Sequence, residues 1–171
     1  MVVINLKEFY DYKSLLMKDL CSNERIVSLI TDKSKPSIPD KSLPYNLVYP
    51  FEFIPETVNE GHTFICFDVD IQSVVNKTLY IPVIYIWVFT HKSKMRMSDG
   101  GIRVDEITIA IDEMLNGNRT YGLGTLSLSS VERFSPILDY QGRVMVYYAK
   151  DFNRSNNIRH TLPSNRKQNN I

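Results

Sequence analysis

Residues 81–89, with the sequence IPVIYIWVF, form an uninterrupted run of apolar and aromatic side chains. Successive side chains of a strand point to opposite faces, so Tyr85 and Trp87 share one face while Ile84 and Ile86 share the other. Neither face offers polar groups to water. The pattern therefore predicts a central strand covered on both faces. In a short chain the second cover is expected to come from more protein or from another subunit.

The length and charge of the chain limit the classes to consider. With 171 residues the chain can bury one sizeable core but hardly two. A net charge of +1 argues against a dedicated nucleic-acid binder or an acidic-membrane binder, since both concentrate Lys and Arg over the whole fold. No apolar run reaches the roughly 20 residues of a membrane span, and no secretory leader is evident at the start. We expect a soluble protein made in a reducing cytoplasm.

The composition changes near the C-terminus. Residues 153–171 are rich in Asn, Ser and Arg, and the cations Arg154, Arg159, Arg166 and Lys167 have no acidic residue among them. Such a segment buries too little apolar surface to offset its ordering entropy. We therefore predict one domain over residues 1–152, followed by a flexible basic tail over residues 153–171.

Two short helices are predicted over residues 6–30, with Ser22 as a possible N-cap of the second. Three prolines then predict a loop over residues 31–44, and the prolines at 50 and 55 reduce residues 45–54 to a bent or edge strand. The two cysteines, Cys21 and Cys66, fall in a helix and a strand without disulfide or zinc spacing, so we expect them to be reduced and structural.

The remaining elements are mostly strands. Residues 63–71 alternate cleanly, a helix over residues 102–117 follows the central strand, and residues 126–134 and 142–152 read as two further strands. The link at residues 139–142 has the chemistry of a type I turn, which predicts an antiparallel hairpin. We predict an α+β fold, with an antiparallel sheet of about four or five strands and helices packed on one face.

No residue set predicts catalysis, a cofactor or a metal. Asp68 and Asp70 lie two apart on one strand face without a third ligand, so a solvated face is the better interpretation. The histidines lack metal-ligand spacing, and Gly122 and Gly124 precede a strand where a phosphate-binding loop requires a helix. We expect no catalytic, cofactor-binding or metal-binding residue, although a small hydrolase or nuclease is a remote alternative.

A basic loop over residues 91–101, with two methionines, precedes the helix. It is either an exposed mobile connection or a segment that is flexible alone and orders against a partner. The helix carries an apolar stripe for the sheet and an acidic face opposite, and in a head-to-tail ring this face could meet the basic loop of a neighbour. The candidate interface residues are Lys92, Lys94, Met95, Arg96, Met97, Arg103, Asp105, Glu106, Asp112 and Glu113.

Several segments carry a resemblance to a known family: FIPET at 53–57, TFICFDVD at 63–70, IYIWVFTHKSK at 84–94, RVDEI at 103–107, LNG at 115–117, YGLG at 121–124 and GRVMVY at 142–147. With the order of elements over residues 6–152, they resemble the tail terminator, or tail completion, proteins of long-tailed bacteriophages, within the broad group of neck proteins. The resemblance rests on pattern and order.

The resemblance implies a structural virion protein of the tail or neck, assembled in the host cytoplasm. It implies a homo-oligomeric ring, a hexamer, on the head-proximal end of the tail tube, which stops tube polymerisation and presents the surface for head attachment. The implied partners are the tail tube protein and a neck or head-closure protein, with DNA passing through the ring. A head-closure adaptor and the cap of a phage-tail-like bacteriocin are the alternatives.

Overall fold

The computed structural model describes residues 6–55, 61–73, 80–121 and 124–149. The predicted domain boundary near residue 152 and the predicted tail lie outside the described residues. The elements are α1 (Leu6–Ser22), α2 (Glu24–Thr31), β1 (Val48–Tyr49), β2 (Thr63–Ser73), β3 (Tyr80–His91), α3 (Arg103–Leu115), β4 (Leu126–Phe134) and β5 (Tyr140–Ala149).

The two N-terminal helices are confirmed, but the predicted N-cap is wrong by one residue. α1 continues to Ser22, and the side chain of Asn23 accepts a hydrogen bond from the backbone N–H of Ile26 at 3.1 Å. Asn23 thus satisfies one of the backbone donors that the first turn of α2 leaves without a helical partner. Asn23 is therefore the single residue between the two helices, where its extended backbone ends α1 and its side chain caps α2.

The five strands form one mixed sheet in the order β1-β2-β3-β5-β4. The α+β class is confirmed, while the prediction of a purely antiparallel sheet is wrong, because β1 pairs parallel to β2. Only Val48 and Tyr49 form β1, and Pro50 follows them without an N–H to continue the ladder. The other three pairings, β2 with β3, β3 with β5, and β4 with β5, are antiparallel.

One face of the sheet, which we call the helix face, carries the main core. Buried side chains of all three helices share a single cluster with it. That cluster includes Leu16, Leu20, Ile26, Ile30, Ile107, Ile111 and Leu115 from the helices and Ile65, Phe67, Ile84, Ile86, Val88 and Tyr147 from the strands. α1 also reaches around the sheet, since Lys13 Nζ lies 2.5 Å from Asp68 Oδ1 on the opposite face. The helices therefore do not all keep to one face.

The opposite face is covered over one half by aromatic side chains of the same chain. Phe64, Cys66, Phe89 and Tyr140 are buried there, and the rings of Tyr49 and Phe53 stack at 4.1 Å over this half. Burial raises the pKa of the Cys66 thiol to about 12 and that of the Cys21 thiol to about 11, and both cysteines are free. The prediction that β3 is apolar on two covered faces thus holds for this half of the strand.

Gly142 lies inside a strand, so the predicted turn at residues 139–142 is wrong. β5 already begins at Tyr140, and Gly142 pairs with Phe89 of β3. A Cβ at this position would stand 2.0 Å from the backbone oxygen of Val88 and 2.6 Å from Phe89 Cβ. Glycine is therefore required by the close approach of β5 to β3, and not by a turn.

Replacing Gly142 by Ala is expected to destabilise the fold by about 3 kcal/mol, because backbone atoms of the central strand must move to admit the methyl group. Urea unfolding followed by circular dichroism measures the change. Gly101→Ala is the matched control, since its Cβ would meet flexible side chains and no backbone atom: Asp99 Oδ1 at 3.2 Å and Met97 Sδ at 3.8 Å. Equal stability of the two variants would contradict the close-packing argument.

Candidate functional site

The basic loop between β3 and α3 is folded upon itself. The N–H of Met97 donates to Gly101 O at 2.9 Å, Arg96 forms a β-bridge with Ile102, and Gly100 turns the chain with a φ of +91°. These bonds make a small hairpin, while the flexibility of this loop in the free chain stays a prediction. Asp99 adds a cap, accepting from the N–H of Gly101 at 3.0 Å.

Arg103 anchors this hairpin to the rest of the fold. Its side chain is 5% exposed and donates to Lys94 O at 2.8 Å, to Leu29 O at 2.6 Å and to Asp32 Oδ1 at 2.9 Å. One guanidinium thus joins three parts of the fold: the loop, the C-terminal turn of α2, and Asp32, the C-cap residue of α2. A positive charge at the C-terminus of a helix also interacts favourably with the helix dipole. Arg103 was predicted from the sequence as an interface residue, whereas in the structure its guanidinium bonds within its own chain.

The two lysines of the loop also have partners within the chain. Lys92 pairs with Asp139, and Lys94 Nζ lies 3.7 Å from Asp32 Oδ2. Reversing either charge would therefore disturb the fold as well as any interface. Arg96 differs, because it is exposed and forms no ion pair with any residue in the described part of the chain.

The acidic face of α3 is also paired within the chain. Arg25 of α2 reaches Glu106 at 2.9 Å and Glu113 at 2.6 Å, and Arg143 of β5 reaches Asp105 at 3.2 Å. The fourth carboxylate, Asp112, accepts a hydrogen bond from the hydroxyl of Tyr147 at 3.0 Å. The basic loop and this acidic face do not pair with each other in one chain. Most charges of the loop and of the acidic face are instead paired with residues from other parts of the chain, which the local sequence does not reveal.

The second half of the sheet face opposite the helices forms a surface that we call the open face, and it adjoins the aromatic half, against which Trp87 packs. It consists of Tyr85 and Trp87 of β3 with Val144, Val146 and Tyr148 of β5, all half-buried. No buried side chain of the three helices packs against it. Sequence analysis named only the β3 half of this surface; the alternation of residues 144, 146 and 148 was the signal for the other half.

The open face combines aromatic rings with acidic flanks. The rings of Tyr85 and Trp87 are stacked at 5.9 Å with an angle of 18° between their planes. Asp70 and Glu132 are exposed on either side and form no ion pair within the described residues. Burial raises the pKa of Tyr85, and the nearby Tyr148 and Asp70 raise it further. An apolar centre with charged edges is the composition typical of a protein contact surface.

The residues weighed for chemistry lie apart. Asp68 pairs with Lys13, and His91 Nδ1 is 2.7 Å from Ser93 Oγ, where it caps the turn at Lys92–Lys94. Among the described residues no group of three or more His, Cys, Asp and Glu side chains is placed to hold a metal ion. Over the same residues, no helix is long and apolar enough to cross a bilayer.

A cavity of about 250 Å³ lies at the base of the hairpin. Asp32, Lys33, His62, Lys94 and Arg103 line it, together with apolar side chains from α2 and the loop before β1. The donors of Arg103 are already engaged by Asp32 and two backbone carbonyls. Arg103 and Lys94, two of the cations that line the cavity, are therefore already engaged by residues that hold the hairpin in place.

A comparison with protein families identifies the family to which the chain belongs. Residues 23–149 match the model of the family YomW, which covers more than half of the chain. The chain therefore belongs to the YomW family, which is phage-derived and of the Bacillus SPbeta-like type. A search of curated proteins finds no match.

Arg103→Ala is expected to destabilise the protein by about 2–3 kcal/mol at pH 7, because two carbonyls and Asp32 lose their donor. The hydrogen bond from Arg103 lowers the pKa of Asp32, so the stabilisation from this pair is present above an ordinary Asp pKa near 4. It is lost as the pH falls through the lowered pKa.

The stability difference between wild type and Arg103→Ala should therefore shrink between pH 5 and pH 2, as measured by urea unfolding at each pH. Arg96→Ala, which removes an exposed arginine from the same loop, serves as the control and should unfold like wild type throughout. A difference that stays constant down to pH 2 would show that the Asp32 pair contributes nothing.

Proposed function

We propose that this protein is a non-catalytic structural component of a phage tail. In this proposal, copies of the chain form a ring, a hexamer, on the head-proximal end of the tail tube. The ring stops polymerisation of the tube and presents the surface to which the head attaches. Membership of a phage-derived family supports the general setting, and the resemblance of the sequence to tail terminator proteins supports the particular role.

The observation that carries the proposal is the open face. A sheet face with a stacked Tyr85 and Trp87 and a row of aliphatic side chains beside them is suited to bury against protein. The central strand β3 and its neighbour β5 form this surface, on the face of the sheet opposite the main core. A chain that carries such a surface on a rigid sheet is suited to a mechanism based on shape and contact.

Assembly on a template explains how weak contacts can suffice. When each contact between copies is weak, a closed ring forms only if six contacts form together, and the end of a tail tube raises the effective concentration of subunits. The free protein can then be monomeric while the ring on the tube is stable. The partners in this proposal are the tube protein below the ring and a neck or head-closure protein above it.

The direct test removes the protein from the phage that encodes it. Without the chain, electron microscopy of lysates should show tails of uncontrolled length, and added purified protein should restore head joining. Tails of normal length that fail to join heads would assign the protein to the neck as an adaptor. Tails of normal length that also join heads would overturn the proposal.

A matched pair of variants tests the open face itself. Val146 lies on the open face of β5, while Val131 lies on β4 toward the helix face and is 44% exposed. Val146→Asp is expected to abolish capping of purified tail tubes, because it places a charge in the apolar centre of the contact. Val131→Asp should cap normally.

Capping is measured by cosedimentation with tubes and by electron microscopy of tube ends. The melting temperature of each variant shows whether the fold is retained. Normal capping by a folded Val146→Asp variant would show that the open face is not used.

A further inference from the structure

We infer that the open face of one copy receives the basic hairpin of the next copy, with Arg96 and Met97 placed over Tyr85 and Trp87. This inference rests on the proposed ring and names the contact that closes it. Within the described residues, Arg96 on the hairpin is exposed and forms no ion pair. The same holds for Asp70 and Glu132, which flank the open face and carry the opposite charge.

The chemistry of the two surfaces is complementary. An arginine guanidinium stacks on aromatic rings, and the tyrosine and tryptophan rings here are already parallel and half-exposed. Methionine sulfur also packs favourably at aromatic rings, and Met97 is half-buried beside Arg96. Glu132 lies in the same row as Trp87, across Val144, so the positive charge over the rings would face a carboxylate.

Charge also decides the symmetry of the contact. Two open faces packed against each other would bring Asp70 and Glu132 of both copies together, which like charges disfavour. A hairpin on an open face places opposite charges together instead. Because one surface lies beyond the end of β3 and the other lies on the side of the sheet, the contact is head-to-tail, and such contacts repeat around a ring.

Trp87 is the single tryptophan of the chain, so its fluorescence reports the contact without labelling. The emission maximum is measured on the full chain over a dilution series, or on capped tails when the free protein is monomeric at every concentration. In the assembled protein the emission should be blue-shifted relative to the monomer. An emission maximum that does not change with assembly would overturn the inference. The same unchanged emission is expected if another segment of the same chain covers Trp87, and that outcome also overturns it.

Charge variants identify the hairpin as the occupant. Arg96→Glu should weaken association at least tenfold and leave the melting temperature unchanged, because Arg96 is exposed and forms no ion pair with any described residue. Combining it with Glu132→Arg should restore association by exchanging the two charges. Arg133→Glu is the control, since it makes the same charge change at an exposed position of β4 on the other face.

Cross-linking then separates this inference from the proposed function. The variant with both Met97→Cys and Val146→Cys, treated with a short bismaleimide, should give a ladder of linked copies up to the full ring. The native cysteines are buried with raised pKa values and should not react. Each single variant should give no ladder.

Rings that cap tails but yield no ladder, and that tolerate Arg96→Glu, would overturn the hairpin contact while leaving the proposed function in place. Absence of any ring, in solution and on tails, would overturn both.

Discussion

The central strand β3 is the constraint on which the rest of the structure depends. It pairs with β2 on one side and β5 on the other over most of its length, so its two faces define the two faces of the sheet. Ile84, Ile86 and Val88 hold the helices on the helix face. On the opposite side the same strand supplies Phe89 to the aromatic half and Trp87 to the open half. Alternate residues of this one strand therefore contribute to the core and to the candidate contact surface.

Charges in this protein act mainly to join elements within the chain. Arg25 connects α2 to α3, Arg143 connects β5 to α3, and Arg103 holds the hairpin against the end of α2. Exposed pairs of this kind contribute little stability singly, whereas the buried guanidinium of Arg103 matters because its removal would take a donor from the carbonyls of Leu29 and Lys94. Arg96 on the hairpin and Asp70 and Glu132 beside the open face are among the charges that form no ion pair within the described residues.

The sequence predicted most elements because their periodicity is strong and local. The alternation of residues 63–71 and the apolar stripe of α3 each specify both an element and its buried side. The parallel pairing of β1 was not predictable in this way, since two residues carry no periodic signal and their partner lies beyond a loop. Gly142 was misread for a related reason: glycine favours turns locally, while the contact that requires it comes from β3.

The candidate site shows the same division between local and distant information. The basic hairpin and the acidic face were visible as composition, but the partners that neutralise them lie far away in sequence, as with Arg25 and Glu113. The ring of Trp87 was expected to be covered, and the structure leaves it half-buried beside residues of β5 that the sequence analysis had not grouped with it. Pairing across strands, which sequence spacing alone does not specify, creates the open face.

The edges of the sheet bear on how copies of this chain can add to one another. β4 forms one edge, and its register shifts between Leu128 and Ser130, with exposed Glu132 and Arg133 following. β1, at the other edge, offers only two residues, and Lys13 of α1 reaches Asp68 beyond it. An irregular, charged or very short edge is a poor template for strand addition, the growth mode that leads to open-ended fibrils. The described edges of this sheet therefore disfavour open-ended growth by addition of strands.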